Sequence, residues 1–233
     1  MAIERHELVL LPGLDGTGDL FDRLQRLLSK DHDVTIVRYP SDPSMGYDDY
    51  LAFAKEAIGA RRVIVLGESF SGPIAVKLAV ALPAQVYGIV LAATFLRSPW
   101  PPFAVRAAAG VNPLGVFRIA RDAFLMGRYR DAEMSAQVDH IVANFLPELR
   151  AARILAVAGV DVRAEFASLS RPILALHGSE DWVVPPHAMR ADTKSKFNAE
   201  FVVFEAAHML LQTRPTATAE AIFNFIKRIP GTA

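Results

Sequence analysis

The chain contains no cysteine among its 233 residues. This absence excludes a disulfide framework, a zinc site built on cysteine and a cysteine nucleophile. An excess of charge is also lacking, because 25 basic and 25 acidic side chains leave a formal net charge of zero. Binding to nucleic acid requires a basic face, so we expect no nucleic-acid partner. We expect no metal site and no cofactor.

Long apolar runs are missing as well. The longest, over residues 86–96, is too short to span a bilayer and is typical of a core strand. The first residues lack the apolar stretch of a signal peptide. We therefore expect a cytoplasmic protein without a membrane span. A content of 52% hydrophobic and 21% charged residues predicts a globular protein with a sizeable core. The oligomeric state stays open.

What the sequence does contain is a regular alternation of apolar runs and helical patterns. Strands alternating with helices indicate βαβ units and a mostly parallel, doubly wound α/β sheet. A closing helix is predicted over residues 209–229, with a boundary at Pro215. The predicted strands cover residues 7–11, 33–39, 62–66, 86–94, 172–176 and 200–204.

One segment interrupts the alternation. Residues 97–165 begin with a proline-rich stretch and continue with three helical patterns but no strand. An insert after a strand, at the edge where parallel strands end, is placed to cover a ligand crevice. We therefore predict a helical cap over residues 97–165 and an α/β core made of residues 1–96 and 166–233. A helical decoration without a role in binding is the alternative.

The third strand runs into the sequence Gly67-Glu68-Ser69-Phe70-Ser71-Gly72, and a helical pattern follows. A G-x-S-x-G turn between a strand and a helix holds its serine out at the sheet edge as a nucleophile. Ser71 stands where glycine is usual, but it is also small. The alternative is a strand-to-helix turn with a capping serine. We predict Ser69 as the nucleophile.

A glycine-rich loop, Pro12-Gly13-Leu14-Asp15-Gly16-Thr17-Gly18, follows the first strand. Acyl transfer needs two N–H donors aimed at the developing oxyanion. The N–H of Phe70, next to the nucleophile, is predicted as one donor and that of Leu14 as the other. A phosphate-binding loop is the competing interpretation, but the Gly-Lys-Ser/Thr ending of a P-loop is absent.

A serine nucleophile needs a base, and the base needs an orienting acid. Of six histidines, His208 alone follows the last predicted strand, in the chain order that such a turn requires. The acid is expected after the fifth strand, where both Glu180 and Asp181 are available. The residues alone leave these two acids open.

Four motifs in this order resemble the α/β-hydrolase fold family almost from end to end. They are the PGLDGTG loop, the GESFSG turn, the HGSEDWVVP turn and the EAAHMLLQTRP turn. The resemblance favours Asp181 as the acid. It also implies a sheet of about eight strands with a cap after strand six, although this chain lacks room for the usual first hairpin. We therefore expect a trimmed sheet edge.

The favoured function is hydrolysis of a small-molecule carboxylic ester with an apolar acyl group, through Ser69, His208, Asp181 and an acyl-enzyme. An acyl thioesterase or acyltransferase is an alternative, because residues 97–163 hold nine arginines and six acids and a mildly basic cap suits a phosphopantetheine carrier. A ligand-binding receptor without catalysis is a further alternative. The predicted acyl pocket is lined by Trp100, Phe103, Phe117 and Phe124.

Overall fold

A computed structural model describes residues 5–110 and 118–229. Its centre is a sheet of six parallel strands in the order β2-β1-β3-β4-β5-β6. This confirms the predicted α/β fold, with six strands in place of about eight. The strands are β1 (Glu7–Leu11), β2 (Asp33–Ile36), β3 (Val63–Glu68), β4 (Val86–Ala92), β5 (Ile173–Gly178) and β6 (Ala199–Phe204).

Helices cover both faces of this sheet. Eleven α-helices lie within the described residues, and short 3₁₀ turns cover residues 19–21, 69–71 and 127–129. The α-helices are α1 (Asp22–Leu28), α2 (Tyr47–Ile58), α3 (Gly72–Ala81), α4 (Pro102–Gly110), α5 (Arg118–Leu125), α6 (Ala132–Asn144), α7 (Pro147–Val157), α8 (Arg163–Ser168), α9 (His187–Lys194), α10 (Leu210–Thr213) and α11 (Pro215–Ile226).

The strands are apolar throughout because both faces of the sheet are buried. Successive side chains of β1 alternate between the two faces. Leu8 and Leu10 pack with α1 and α11 on one side, whereas Val9 and Leu11 pack with α2 and α3 on the other. The two layers of helices make the sheet doubly wound, as predicted.

The predicted elements differ from the observed ones mainly at their ends. β2 stops at Ile36, three residues earlier than expected, and the predicted closing helix is divided at Pro215 into α10 and α11. Helices α4, α8 and α9 were not predicted. None of the described helices is long and apolar enough to cross a bilayer.

Helices α4 to α8 lie between β4 and β5. Helix α6 packs Met134 and Val138 against Met126 and against Met209, which belongs to the loop after β6. The N–H of Met209 also donates to the carbonyl of Leu125, at 2.7 Å. The helical insert is therefore joined directly to the loop that carries His208.

Candidate active site

The turn after β3 has the strained geometry of a sharp strand-to-helix connection. Ser69 adopts a φ of +48°, in the left-handed region, which non-glycine residues rarely occupy. A Cβ atom at Gly67 would lie 2.6 Å from the carbonyl oxygen of Ser71, so the turn requires glycine at that position. Since α3 begins at Gly72, Ser69 lies beside a helix N-terminus.

A chain of hydrogen bonds joins the three residues predicted as nucleophile, base and acid. The Oγ of Ser69 is 3.0 Å from Nε2 of His208, and Nδ1 of His208 is 2.8 Å from Oδ2 of Asp181. Oδ1 of Asp181 accepts the N–H groups of Val183 and Val184 at 2.9 and 2.8 Å. An imidazole held in this way can take the proton of the serine hydroxyl.

The surroundings of His208 act on its pKa in opposite directions. Burial lowers this pKa, whereas the charge of Asp181, its hydrogen bond and the charge of Glu68 raise it, and the net pKa lies above the usual value for histidine. Only the neutral ring can accept a proton from Ser69. The fraction of His208 that can act as a base therefore increases with pH, and the midpoint of this increase lies above that of an unperturbed histidine.

Two other residues near the chain of hydrogen bonds do not take part in it. Glu180, the alternative acid, has a side chain that is 39% exposed and forms an ion pair with Arg128 at 3.0 Å. His177 is fully buried and stacks on Phe201, with ring centroids 5.4 Å apart. Burial lowers the pKa of His177 to about 4, which keeps this ring neutral.

The predicted oxyanion donors lie in two segments that face the same cavity. Leu14 and Phe70 both line it, together with Ser69 and His208. The loop turns tightly, since the N–H of Gly16 donates to the carbonyl of Gly13 at 3.1 Å. The N–H of Leu14 donates to none of the residues that the structure describes. Phe70 is the second residue of the 3₁₀ turn at residues 69–71, and the first N–H groups of a helical turn lack partners within it. Both are available to a ligand.

The cavity has a volume of about 590 Å³, within the usual range for small-molecule sites. Ser69 and His208 line it, and most of the remaining lining is apolar. Apolar residues from the insert and from the core contribute to it, including Leu20, Phe95, Trp100, Val105, Phe124 and Val138.

Two of the four predicted pocket aromatics, Trp100 and Phe124, line this cavity. Phe103 does not line it, because α4 turns Ala104 and Val105 toward the cavity and leaves the side chain of Phe103 74% exposed. The structure therefore places Phe103 outside the lining of this cavity. Phe117 lies outside the described residues. No group of histidines and acids within the described ranges is arranged to hold a metal ion.

Glu68 is a buried acid that sequence reasoning overlooked. It precedes Ser69, lines the cavity and accepts a hydrogen bond from Nε2 of Gln212 at 2.7 Å. Burial raises the pKa of Glu68 to about 7, while the bond from Gln212 opposes this rise and the charge of Asp15 adds to it. The signal available in the sequence was an acid at the end of an otherwise apolar strand.

We expect the stability of the protein to fall as Glu68 ionises. Its folded pKa of about 7 exceeds the value of 4.5 for a free glutamate, so the folded state favours the protonated form. The stabilisation is complete below pH 4.5 and is lost as the pH rises through about 7. At 1.36 kcal/mol per pKa unit, the change in the free energy of unfolding is on the order of 3 kcal/mol.

The matched variant is Glu68→Gln, which keeps an acceptor for Gln212 but cannot ionise. Urea unfolding at pH 5 and pH 8 should show that Glu68→Gln gains stability relative to the wild type at the higher pH. An equal difference between the two proteins at both pH values would contradict a raised pKa of Glu68.

Comparison with known proteins agrees with this architecture. Residues 8–221 match the family described as the alpha/beta hydrolase family. The chain belongs to that family. The resemblance predicted from four sequence motifs is thereby confirmed for the fold and the family.

Individual known proteins are similar to this one over nearly the whole chain. A pimeloyl-[acyl-carrier protein] methyl ester esterase of Aeromonas hydrophila is 28% identical, over 94% of this chain and 95% of its own. The protein of the same description from Aeromonas salmonicida is 25% identical over the same shares. The crystal structure of an enol-lactonase from Burkholderia xenovorans superposes with a TM-score of 0.83 at 18% identity, covering 97% of this chain and 92% of that chain.

Proposed function

We propose that this protein is a carboxylic ester hydrolase that cleaves esters of apolar acyl groups through an acyl-enzyme on Ser69. The observation that carries the proposal is the chain of hydrogen bonds from Ser69 through His208 to Asp181, beside a largely apolar cavity that Ser69 and His208 line. The description of the Aeromonas relatives as methyl ester esterases supports the same reaction class.

In the proposed reaction, Oγ of Ser69 attacks the ester carbonyl carbon while Nε2 of His208 takes the hydroxyl proton. Asp181 holds the Nδ1–H of His208 and stabilises the imidazolium. The N–H groups of Leu14 and Phe70 bind the tetrahedral oxyanion. The imidazolium then protonates the departing alkoxide. A water molecule, activated by His208 in the same way, hydrolyses the acyl-enzyme and releases the acid.

We also propose that residues 97–165 act as a cap over the reacting atoms, with residues 1–96 and 166–233 as the catalytic core. Support comes from the cavity, which insert side chains such as Trp100 and Phe124 share with Ser69. A largely apolar lining favours an apolar acyl group because burial of each CH₂ contributes about 0.8 kcal/mol. The insert should therefore determine which esters are used.

The direct test is labelling of the wild-type protein with a fluorophosphonate, followed by kinetics on p-nitrophenyl esters from C2 to C12. A hydrolase should be labelled at Ser69 and should turn over at least part of this series. A ligand-binding protein without catalysis would show neither labelling nor turnover, and this result would overturn the proposal.

We expect Trp100→Ala and Phe124→Ala to change the preference for acyl length. Both side chains line the cavity, and one apolar contact contributes about 1–3 kcal/mol to selectivity. The ratio of kcat/KM between long and short esters should change by about tenfold or more. The pH midpoint of kcat/KM should stay unchanged, because neither residue touches His208 through a hydrogen bond or ion pair.

Phe103→Ala is the matched control for these two variants. Phe103 lies on α4 of the same insert but is exposed and outside the cavity. Its chain-length profile should equal that of the wild type. An unchanged profile in both cavity variants would show that the acyl group binds elsewhere.

A second candidate is an ester whose acyl chain is attached to an acyl carrier protein. The Aeromonas relatives are described as acting on such a substrate. In addition, the exposed residues Arg106 and Arg130 of the insert form no ion pair with any described residue. A carrier-linked methyl ester should then show a higher kcat/KM than the free methyl ester, and the advantage should fall with salt because it depends on exposed charges.

A further inference from the structure

Arg153 is a buried cation that forms no ion pair with any carboxylate of the described residues. It comes from α7 of the insert, yet only 1% of its surface is exposed. Its guanidinium lies over the ring of Tyr50, 5.4 Å from the centroid, and 5.8 Å from that of Phe145. Burying a charge without an opposite charge is costly unless hydrogen bonds compensate it. The hydrogen bonds of Arg153 must therefore compensate the cost of burying its charge.

Three of the four hydrogen-bond partners of Arg153 are carbonyl groups, and two of these belong to the glycine-rich loop. Nη1 of Arg153 donates to the carbonyl of Leu14 at 3.0 Å and to that of Asp15 at 2.6 Å. Nη2 donates to the carbonyl of Pro40 at 3.1 Å, and Nε donates to the hydroxyl of Tyr50 at 2.9 Å. A helix of the insert thus fixes the peptide groups beside the proposed oxyanion donor.

The loop is shaped to receive this guanidinium. Gly16 has a φ of +74°, and a Cβ atom built there would overlap the guanidinium of Arg153. The missing side chain at Gly16 therefore provides both the backbone conformation and the space that Arg153 needs.

A second anchor holds the same loop from the nucleophile turn. The hydroxyl of Ser71 donates to the carbonyl of Pro12. Since Ser71 has a single proton to donate, the hydroxyl of Tyr39, 2.8 Å away, must donate to Ser71. The serine that departs from the usual glycine thereby ties the loop to the turn of Ser69. Arg153 and Ser71 together fix the loop on both sides of Gly13.

From this geometry we propose that Arg153 is a positioning residue for the oxyanion site, acting through the carbonyls of Leu14 and Asp15. The inference rests on the proposed esterase function. Through Arg153, the insert contributes to oxyanion binding as well as to binding of the acyl group. The effect belongs to the transition state, because the oxyanion donors bind charge that develops only there. A displacement of about 1 Å can reduce a rate about 100-fold.

The test compares Arg153→Met, Arg153→Lys and the control Arg150→Met. Arg150 is also buried on α7, but its side chain donates to none of the described residues. For each protein we would measure kcat and KM on p-nitrophenyl butyrate, inhibition by an alkyl boronic acid that mimics the tetrahedral state, and the melting temperature.

For Arg153→Met we expect kcat to fall about 10- to 100-fold, with KM changed by less than about threefold. The boronic acid should bind more weakly by the same factor as the fall in kcat. Arg153→Lys should be intermediate, because lysine keeps the charge and some of the donors. Arg150→Met should keep the kcat and the boronic acid affinity of the wild type. A purely structural role would lower the melting temperature without this matched loss.

The proposal is overturned if folded Arg153→Met keeps its kcat, if the loss falls on KM alone, or if Arg150→Met loses as much kcat. If Arg153→Met does not fold, Arg153→Lys and Ser71→Ala decide by the same comparison of kcat with boronic acid affinity. A wild type inactive on every ester would overturn the proposed function and this inference together. An active wild type with an unaffected Arg153→Met overturns only the inference.

Discussion

Replacing Ser69 by alanine is expected to lower kcat for ester hydrolysis by a factor of about 10⁴ to 10⁶. The hydroxyl is the group that would form the acyl-enzyme. No other described side chain forms a hydrogen bond with Nε2 of His208. Ser69 is partly exposed at a turn, so its loss should cost little stability. The melting temperature should therefore stay near that of the wild type while fluorophosphonate labelling disappears.

Ser179→Ala is the matched control for this prediction. Ser179 is an exposed serine just after β5, at the edge of the sheet where Ser69 lies, and its removal should leave kcat and labelling unchanged. Near-normal turnover by a folded Ser69→Ala protein would show that the nucleophile is another group.

We expect Asp181→Asn to lower kcat by roughly 10⁴, the loss measured for the same change in another triad. Oδ1 of Asp181 accepts two N–H groups, so the oxygen of an asparagine must stay on that side. Its NH₂ group would then face Nδ1 of His208, which would have to accept a hydrogen bond. The proton of the ring would move to Nε2, where it blocks transfer from Ser69.

Glu180→Gln supplies the comparison for Asp181→Asn, since it makes the same chemical change one residue earlier. The Glu180 side chain is half-buried and pairs with Arg128 rather than with a histidine. Exposed or partly exposed ion pairs contribute little to stability, so the variant should fold. Because Glu180 takes no part in the chain of hydrogen bonds, kcat should stay within about threefold of the wild type. The acid would have to be reassigned if Glu180→Gln were the more damaging of the two.

The sequence predicted the fold well because its strands and their turns carry strong local signals. β1, β3 and β5 are apolar runs that end in glycine-containing turns, and parallel strands bring those ends to one edge of the sheet. Chain order alone was therefore enough to suggest that Ser69 and His208 would lie together. The choice between Glu180 and Asp181 needed the family resemblance, because adjacent residues share almost the same local pattern.

Other features depend on tertiary contacts that local patterns do not encode. Helices α8 and α9 are only six and eight residues long, too short for a clear periodic signal. Phe103 and Val105 lie on the same short helix, α4. The orientation of this helix about its own axis decides which of the two faces the cavity. Arg153 is one of nine arginines between residues 97 and 163, and nothing local distinguishes the one that is buried.

The attachment of the insert to the loop after β6 limits how a substrate can enter. Met209, the neighbour of His208, packs on Met134 and Val138 and donates its N–H to Leu125. A swinging motion of α5 and α6 would either break these contacts or, if they held, pull His208 away from Ser69. We therefore expect an ester to enter by side-chain rotation of Trp100 and Phe124, which line the cavity and are exposed, while the backbone around the base stays in place.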